Sequence, residues 1–293
     1  MNLKKIKEKY EILNKIQKIV ASKKNITLVN ILKLSKEIGF YLDRVNFSKA
    51  IIQHLLSKFN NENIALNKNK SLLNKAVTLW VYVTEEEKYN TNSYKRHELA
   101  IEQNADLKRD SFILIGQRAM SFGKKHNLNI VFEHQENEVE KLTELLPKLI
   151  VKQFISTNIT DLNFVINSSK IEQKYIKLLP IKENNFALNY HKNQEFLTQE
   201  FAKYRIFQEL DDFIESESES YLTYATLSLL TESALVKEKY KLVVQNKTLN
   251  ELEEKISKQK RIYLRQKREL EIEESSILSK KKDMLHSSAS EGK

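Results

Sequence analysis

The sequence predicts a mainly helical α+β protein: a long antiparallel coiled coil of N- and C-terminal helices with a Rossmann-like α/β globular domain inserted between them. Three observations carry the prediction. The 293 residues hold 4 Gly and 2 Pro, where an average chain of this length carries roughly 20 and 15. That excludes barrels and sandwiches, which spend such residues on frequent turns. Apolar residues also recur at heptad spacing at both ends of the chain, and between the two ends the period changes to short strands alternating with helices. The expected divisions are a helix over 1–58, an α/β domain over 59–208, a second helix over 209–286 and a disordered tail over 287–293.

Residues 1–58 read as one helix, or one helix broken near Asn25. Leu3, Ile6, Tyr10, Leu13, Ile16 and Val20 fall at three- and four-residue steps. Ile31, Ile38, Val45 and Ile52 then repeat every seven, with Leu28, Leu42 and Leu56 as a second row interrupted by Ser35 and Lys49. Two such rows mark a helix packed along another helix. Gly39 inside it costs about 1 kcal/mol relative to Ala, which packing would have to offset.

The polar stretch 60–75 reads as a loop. Val77, Leu79, Val81 and Val83 alternate as a strand does. A helix over 92–103 follows, then Phe112-Ile113-Leu114-Ile115 ending at Gly116, the form of a buried parallel strand entering a turn. A helix from Arg118 to His126, a strand Asn129–Phe132 and an amphipathic helix over 136–155 containing Pro147 come next. Strands Leu162–Ile166 and Lys174–Ile181 complete the run, and Tyr204–Phe207 is placed to close the sheet. Strands alternating with helices between 77 and 166 imply a parallel sheet.

No Gly or Pro separates Pro180 from Gly292. Asp211, Asp212, Glu215, Glu217 and Glu219 suit the first turns of a helix, where negative charge meets the positive end of the dipole; a metal site is the competing reading. Leu235, Leu242, Leu249, Ile256, Tyr263, Leu270 and Ile277 repeat every seven residues, beside a mostly polar row of Glu238, Gln245, Leu252, Gln259, Gln266 and Glu273. From 211 to 285 such a helix is ~110 Å long at 1.5 Å per residue.

Much chemistry is excluded. The chain has no cysteine, so there are no disulfides, thiolate metal sites or thiol nucleophiles. Gly116 and Gly123-Lys124 lack the spacing of a phosphate-binding loop. The six histidines are scattered, and His126 with His134 is the nearest approach to a metal pair. No run of about 18 apolar residues occurs, nor a secretory leader. The reading is a chain without its own catalytic, cofactor or metal site, cytoplasmic or peripheral at the inner face of the cell membrane. Net charge is +10. It is concentrated in residues 1–24, where eight lysines face Glu8 and Glu11 for a net +6, and such an excess suits an acidic partner.

In order along the chain, the segments resemble the gamma subunit of rotary ATP synthases and related rotary ATPases. The first helix of that family is similar to Leu3-Lys4-Lys5-Ile6 through Gln17-Lys18-Ile19. Its first strand is similar to Leu79–Thr84, and its Asn-Ser-Asn to Asn90-Thr91-Asn92. Phe112–Arg118 with Phe122 resembles a strand ending Ile-Gly-x-Lys/Arg. Asp161–Asn167, Leu178-Leu179-Pro180-Ile181 and Tyr204-Arg205-Ile206-Phe207 resemble later elements. Tyr221-Leu222, Glu232-Ser233, Lys241-Leu242 and Arg265-Gln266 fall where the family's C-terminal helix has Tyr-Leu, Glu-Ser, Arg-Met and Arg-Gln. The chain departs from the family at Glu85-Glu86-Glu87-Lys88-Tyr89, which replaces a Gly- and Cys-containing segment. It departs again at Lys267-Arg268-Glu269-Leu270 and at Lys280-Lys281-Lys282. Together with the Lys-, Asn- and Ile-rich composition, these departures resemble the gamma-like subunits of mycoplasma rotary-type ATPases, some of which drive gliding.

The resemblance implies a non-catalytic rotor shaft inside a hexameric ring of alpha-like and beta-like subunits, which bind the nucleotide and magnesium. An epsilon-like, membrane or cytoskeletal adaptor would join the foot, and nucleic acid is not expected. It implies ring contacts at Lys15, Lys18, Ile19, Lys23, Arg265, Gln266, Ile277 and Leu278, with Met284 and Leu285 sharing the apolar tip. The competing function is a basic coiled-coil scaffold or nucleic-acid-binding protein.

Overall fold

The computed structural model describes residues 3–59, 77–84, 93–135, 139–156, 159–168, 175–181 and 209–290. In chain order its elements are α1 (Leu3–Phe59), β1 (Val77–Val83), α2 (Ser93–Asn104), β2 (Ser111–Ile115), α3 (Gln117–Lys125), β3 (Asn129–His134), α4 (Val139–Ser156), β4 (Ile159–Val165), β5 (Ile176–Leu179) and α5 (Leu210–Ser290). The chain is thus mostly helical, with one five-stranded mixed sheet and a long C-terminal helix.

Several expectations need amending. α1 runs through Asn25 without a break. α5 reaches Ser290, four residues into the stretch expected as tail. The strand anticipated at Lys174–Ile181 is shorter and antiparallel to its neighbour, so the sheet is mixed. The loop at 60–75, the segment 85–89, the Asn90–Asn92 match and the strand at Tyr204–Phe207 lie outside the described residues. Two compact units divide the chain, one of Met1–Val29 with Lys241–Lys293 and one of Asn30–Tyr240. Those boundaries fall inside both long helices rather than at 58/59 and 208/209. The reason is that the inner part of each helix belongs to the core around the sheet.

In the second unit the strand order is β3-β2-β1-β4-β5. β1 pairs in parallel with β2 on one side and β4 on the other, and β3 pairs in parallel with β2. Both faces of β1 are buried. Leu79, Val81 and Val83 join Ile113, Ile115, Leu162 and Phe164 on one face, in a cluster with Ile38, Val45 and Ile52 of α1, Leu146 and Ile150 of α4, and Tyr221 and Leu229 of α5. Trp80 and Tyr82 join Phe112, Leu114 and Val165 on the other, with Ile101 of α2 and Ala119 and Phe122 of α3. Each fully buried side chain of this size contributes about 1.5–3 kcal/mol relative to exposure. Helix α4 continues through Pro147.

Polar groups fix how the layers meet. Asp110, buried before β2, accepts hydrogen bonds from the Thr78 amide (3.1 Å), the Trp80 indole (3.0 Å) and the Asp106 amide (3.0 Å). Thr84, just after β1, donates its hydroxyl to the Ile115 carbonyl (3.0 Å) and accepts from the Ala119 amide (3.2 Å). It therefore caps the first turn of α3 from a different strand. Gly116, between β2 and α3, has φ +94°, and a Cβ there would strike the Thr84 hydroxyl and carbonyl oxygens. The Tyr221 hydroxyl donates to the Leu178 carbonyl (3.1 Å), and the Ser168 hydroxyl to the fully buried Glu232 (2.9 Å), so α5 is tied to the β4–β5 region.

A charged cluster joins β1, α2 and α3. The Arg118 guanidinium grips Glu98 through two hydrogen bonds (2.7 and 3.1 Å) and lies 5.3 Å from the Tyr94 ring centre. Burial pushes the Tyr82 phenol upward, reinforced by the Glu98 carboxylate to which it points. Burial also pushes His97 down to about 4, against the pull of Glu98.

Two predictions follow from this geometry. Gly116→Ala loses about 2–4 kcal/mol, from backbone strain and the clash with Thr84. Gly39→Ala gains about 0.5–1 kcal/mol by helix propensity, because a Cβ at Gly39 meets nothing within 4 Å. Denaturant titration of both variants reads the difference. The second prediction concerns acid. The folded pKa of His97 lies near 4, below its ordinary 6.5, so on acidification the unfolded chain takes the proton first. The stability contributed by neutral His97 is complete above pH 6.5 and drains away toward pH 4, by on the order of 1–3 kcal/mol. His97→Phe should therefore show a shallower loss of thermal midpoint than the parent between pH 7 and pH 5, whatever its midpoint at neutrality.

Candidate functional site

The unit of Met1–Val29 and Lys241–Lys293 holds all eight residues expected to meet a partner. It is a pair of helix segments whose order is reversed. The Gln245 amide donates to the Thr27 hydroxyl (3.1 Å), and the Gln259 amide to the Ile6 carbonyl (3.4 Å). Along α1 two heptad rows turn inward. One is Ile6, Leu13, Val20, Thr27, Leu34, Tyr41, Ser48 and Leu55; the other is Leu3, Tyr10, Gln17, Lys24, Ile31, Ile38, Val45 and Ile52. Ile16 and Leu28, expected inside, are exposed. The inward rows begin at Ile6 and Leu3, and following them past the polar Thr27 and Ser48 would have found the second row from the sequence.

On α5 the row expected to be polar is as buried as its apolar neighbour. Leu252 and Gln259 are buried, Gln245 and Gln266 half-buried, and Leu242, Leu249, Ile256 and Tyr263 half-buried. Both glutamines lie where a helix pair usually places Leu or Ile, and each donates across the pair. Burial ends at Gln266. From Lys267 to Lys280 every side chain of α5 is exposed, so the seam expected to run through Leu270 and Ile277 stops short of them.

The expected contact residues fall into two groups. Lys15, Lys18, Ile19 and Lys23 are exposed on α1, beside the exposed isoleucines Ile12, Ile16 and Ile26. Arg265 and Gln266 lie on α5, and both donate to Glu269, at 2.9 and 3.4 Å. Ile277 and Leu278 are 55% and 67% exposed. The side chains of Met284 and Leu285 lie outside the described residues.

Among the described residues, no three His, Asp or Glu side chains group as metal ligands. Asp211 and Asp212 sit in the first turn of α5, which supports the helix-start reading of the acidic run over a metal site. No described helix is long and apolar enough to cross a membrane. The first turn of α3, which a phosphate could otherwise occupy, is taken by the Thr84 hydroxyl.

No protein-family model matches the chain. Among solved structures it is similar in outline to a chain of the Euglena gracilis mitochondrial ATP synthase rotor in rotational state 1. That similarity is 11% identity over 92% of this chain and 98% of that chain, with a TM-score of 0.43. A chain from the OSCP/F1/c-ring assembly of the same synthase, in rotational state 3, is 11% identical over 97% and 95%, with a TM-score of 0.44. One from the Tetrahymena thermophila mitochondrial ATP synthase central stalk and c-ring is 15% identical over 76% and 99%, with a TM-score of 0.42. Scores below 0.5 decide neither fold nor function. A protein of Ureaplasma parvum serovar 3, named Uncharacterized protein UU050, is 35% identical over 288 residues, covering 96% of this chain and 94% of that one. Identity at that level over nearly the whole of both chains is common descent, and the protein belongs to the family of this Ureaplasma protein.

Proposed function

We propose that the chain is a gamma-like central shaft of a rotary ATPase. In this reading it couples ATP hydrolysis or synthesis in a surrounding hexameric ring to rotation and carries no catalytic site itself. Its helix pair is an antiparallel coiled coil and its sheet a Rossmann-like insert. The observation that carries the reading is the end of α5. From Lys267 to Lys280 an exposed helix presents Leu270, Ile272, Ile277 and Leu278. Among the described residues its ion pairs are same-helix ones, Arg265–Glu269 (2.9 Å) and Lys267–Glu271 (3.5 Å), each worth about 0.2–0.5 kcal/mol. A single helix with that much exposed apolar surface is marginal in water, and a sleeve formed by a ring would cover it from all sides.

Two further features support the reading. The order of motifs along the sequence resembles that of the family from the first helix to Arg265-Gln266, apart from the departures at Glu85–Tyr89 and Lys267–Leu270. Lys15, Lys18 and Lys23 are exposed on α1 and give the shaft a charged surface for neighbours of opposite sign. The lysines of residues 4–24 then face acidic loops of alpha-like and beta-like ring subunits, which hold the nucleotide and magnesium. An epsilon-like, membrane or cytoskeletal adaptor takes the foot, and the complex works in the cytoplasm or at the inner face of the cell membrane. A relative in Ureaplasma is in keeping with the mycoplasma branch.

The test is reconstitution. The isolated chain should hydrolyse no ATP, and adding it to its co-expressed nucleotide-binding subunits should raise their turnover several-fold. Unchanged turnover with no co-purification would sink the proposal, and a salt-sensitive shift of duplex DNA would favour the basic-scaffold reading instead. Ile277→Asp with Leu278→Asp should leave the fold intact, because both side chains are exposed, and lower ring activation about tenfold, as loss of an apolar anchor does. Reversing Lys15, Lys18 and Lys23 to Glu should weaken the complex mainly at low salt, the mark of a screened charge contact.

A further inference from the structure

Two anomalies sit side by side on α1 within the unit of Asn30–Tyr240. Gly39 lies in the interior of a long helix, where glycine is unfavourable. Its backbone is not left-handed, and a Cβ would meet nothing within 4 Å. Among the described residues no close approach therefore calls for glycine, and Gly39 itself is half-buried. Next to it Phe40 is 54% exposed. Among the described residues it is the one aromatic side chain that ranks with the exposed large hydrophobics.

Phe40 is nonetheless held in place. Its ring meets Tyr41 edge-on at 5.8 Å and Tyr224 of α5 at 6.4 Å, with the Arg44 guanidinium 5.8 Å from its centre. An exposed aromatic that is already ordered loses little entropy when it is covered, which is how an interface anchor is built. Between Asn30 and Phe47 the exposed side chains of α1 are Leu32, Lys33, Lys36, Phe40, Arg44 and Asn46, so the exposed charges of this stretch of α1 are cationic. Glu37 and Asp43 are half-buried, and Glu37 is already 3.8 Å from Lys33.

We propose that Gly39 and Phe40 form a docking surface for an acidic segment of a partner protein. The partner's backbone or a small side chain lies against the bare helix at Gly39. An apolar pocket of the partner covers Phe40, and its carboxylates meet Lys36 and Arg44. Glycine is kept because a side chain at position 39 would hold the partner away, so the helix gives up intrinsic stability for an approach made only in the complex. The inference stands on this unit alone and holds whether or not the shaft reading does.

Photo-crosslinking of the full chain in the cell that makes it tests the proposal. Phe40→p-benzoylphenylalanine should crosslink to a protein segment rich in Asp and Glu, identified by mass spectrometry. The same probe at Leu99, also exposed but on α2, should not. Lys36→Glu with Arg44→Glu should cut the Phe40 crosslink at least about tenfold, the scale of a lost hot spot. Gly39→Leu should abolish it while the thermal midpoint holds or rises, since the site has room for a side chain. A midpoint that holds while the crosslink disappears separates lost docking from lost folding. Crosslinks to lipid, to a second copy or to a segment without acidic residues would overturn the proposal. So would equal yield from Leu99, the absence of any crosslink, or a yield unmoved by Gly39→Leu.

Discussion

β1 has no face left for water. Leu79, Val81 and Val83 fill one side and Trp80 and Tyr82 the other, and each of its edges is taken by a parallel neighbour. A strand in that position must be covered by helices on both sides of the sheet. The short helices α2 and α3 cover the Trp80 face. On the other face α4 is joined by long stretches of α1 and α5. This explains why two helices of 57 and 81 residues cannot be separated from the α/β core: remove either and the Val81 face is left wet. Thr84 and Gly116 extend the same constraint to the strand ends, where β1 caps the helix that follows β2.

The other unit obeys a different rule. Its inward positions include Thr27, Gln245 and Gln259; the Gln245 amide donates to the Thr27 hydroxyl (3.1 Å) and the Gln259 amide to the Ile6 carbonyl (3.4 Å). A hydrogen bond of this kind contributes only about 0.5–1.5 kcal/mol net, and its loss leaves a costly buried orphan. The Gln245 carbonyl oxygen is already buried without a partner. An apolar residue of similar volume at such a site is usually neutral or better for stability, so the glutamines do not maximise the strength of the pair. What polar layers supply is alignment, because only one register satisfies their donors. The same two helices therefore serve a dry, interdigitated core in one unit and a polar, register-fixing seam in the other.

The fold was legible where the signal was periodic and uninterrupted. The strand at Val77–Val83, the buried run ending at Gly116 and the helix start at Asp211-Asp212 could all be read from residue types, because burial on both faces, a tight turn and a helix dipole each demand them. The row through Ile31, Ile38, Val45 and Ile52 was legible for the same reason. The second row, read as Leu28, Leu42 and Leu56, holds at Leu42, which is buried, and fails at Leu28, which is exposed while the polar Thr27 beside it is buried; the side chain of Leu56 lies outside the described residues. Neighbours were harder to read than elements. Nothing in the sequence of β4 says that it lies against β1, and nothing in the heptads of α5 says where α1 runs out. Of the candidate site, the exposure of the lysines could be anticipated, but that of Ile277 could not, since the heptad row placed it in the seam, and the sharing of Glu269 by Arg265 and Gln266 depends on side-chain geometry that spacing alone leaves open.

The scarcity of glycine takes on a sharper meaning against this structure. Three of the chain's four glycines lie among the described residues, and two of them answer to a local need. At Gly116 the requirement is a left-handed backbone pressed against Thr84, and at Gly123 it is the close packing of α3 on Leu114. Both needs are internal, and both would be met in any solvent and with any partner. Gly39 has neither justification. It lies in an ordinary helical turn with open space beside it, in a protein whose long helices otherwise avoid breakers from Leu3 to Phe59 and from Leu210 to Ser290. Mutation alone would readily replace it with a better helix former, and that replacement would stabilise the isolated chain. A glycine that the isolated chain does not need, next to an aromatic side chain that the isolated chain does not bury, is best accounted for by a contact that the isolated chain does not make.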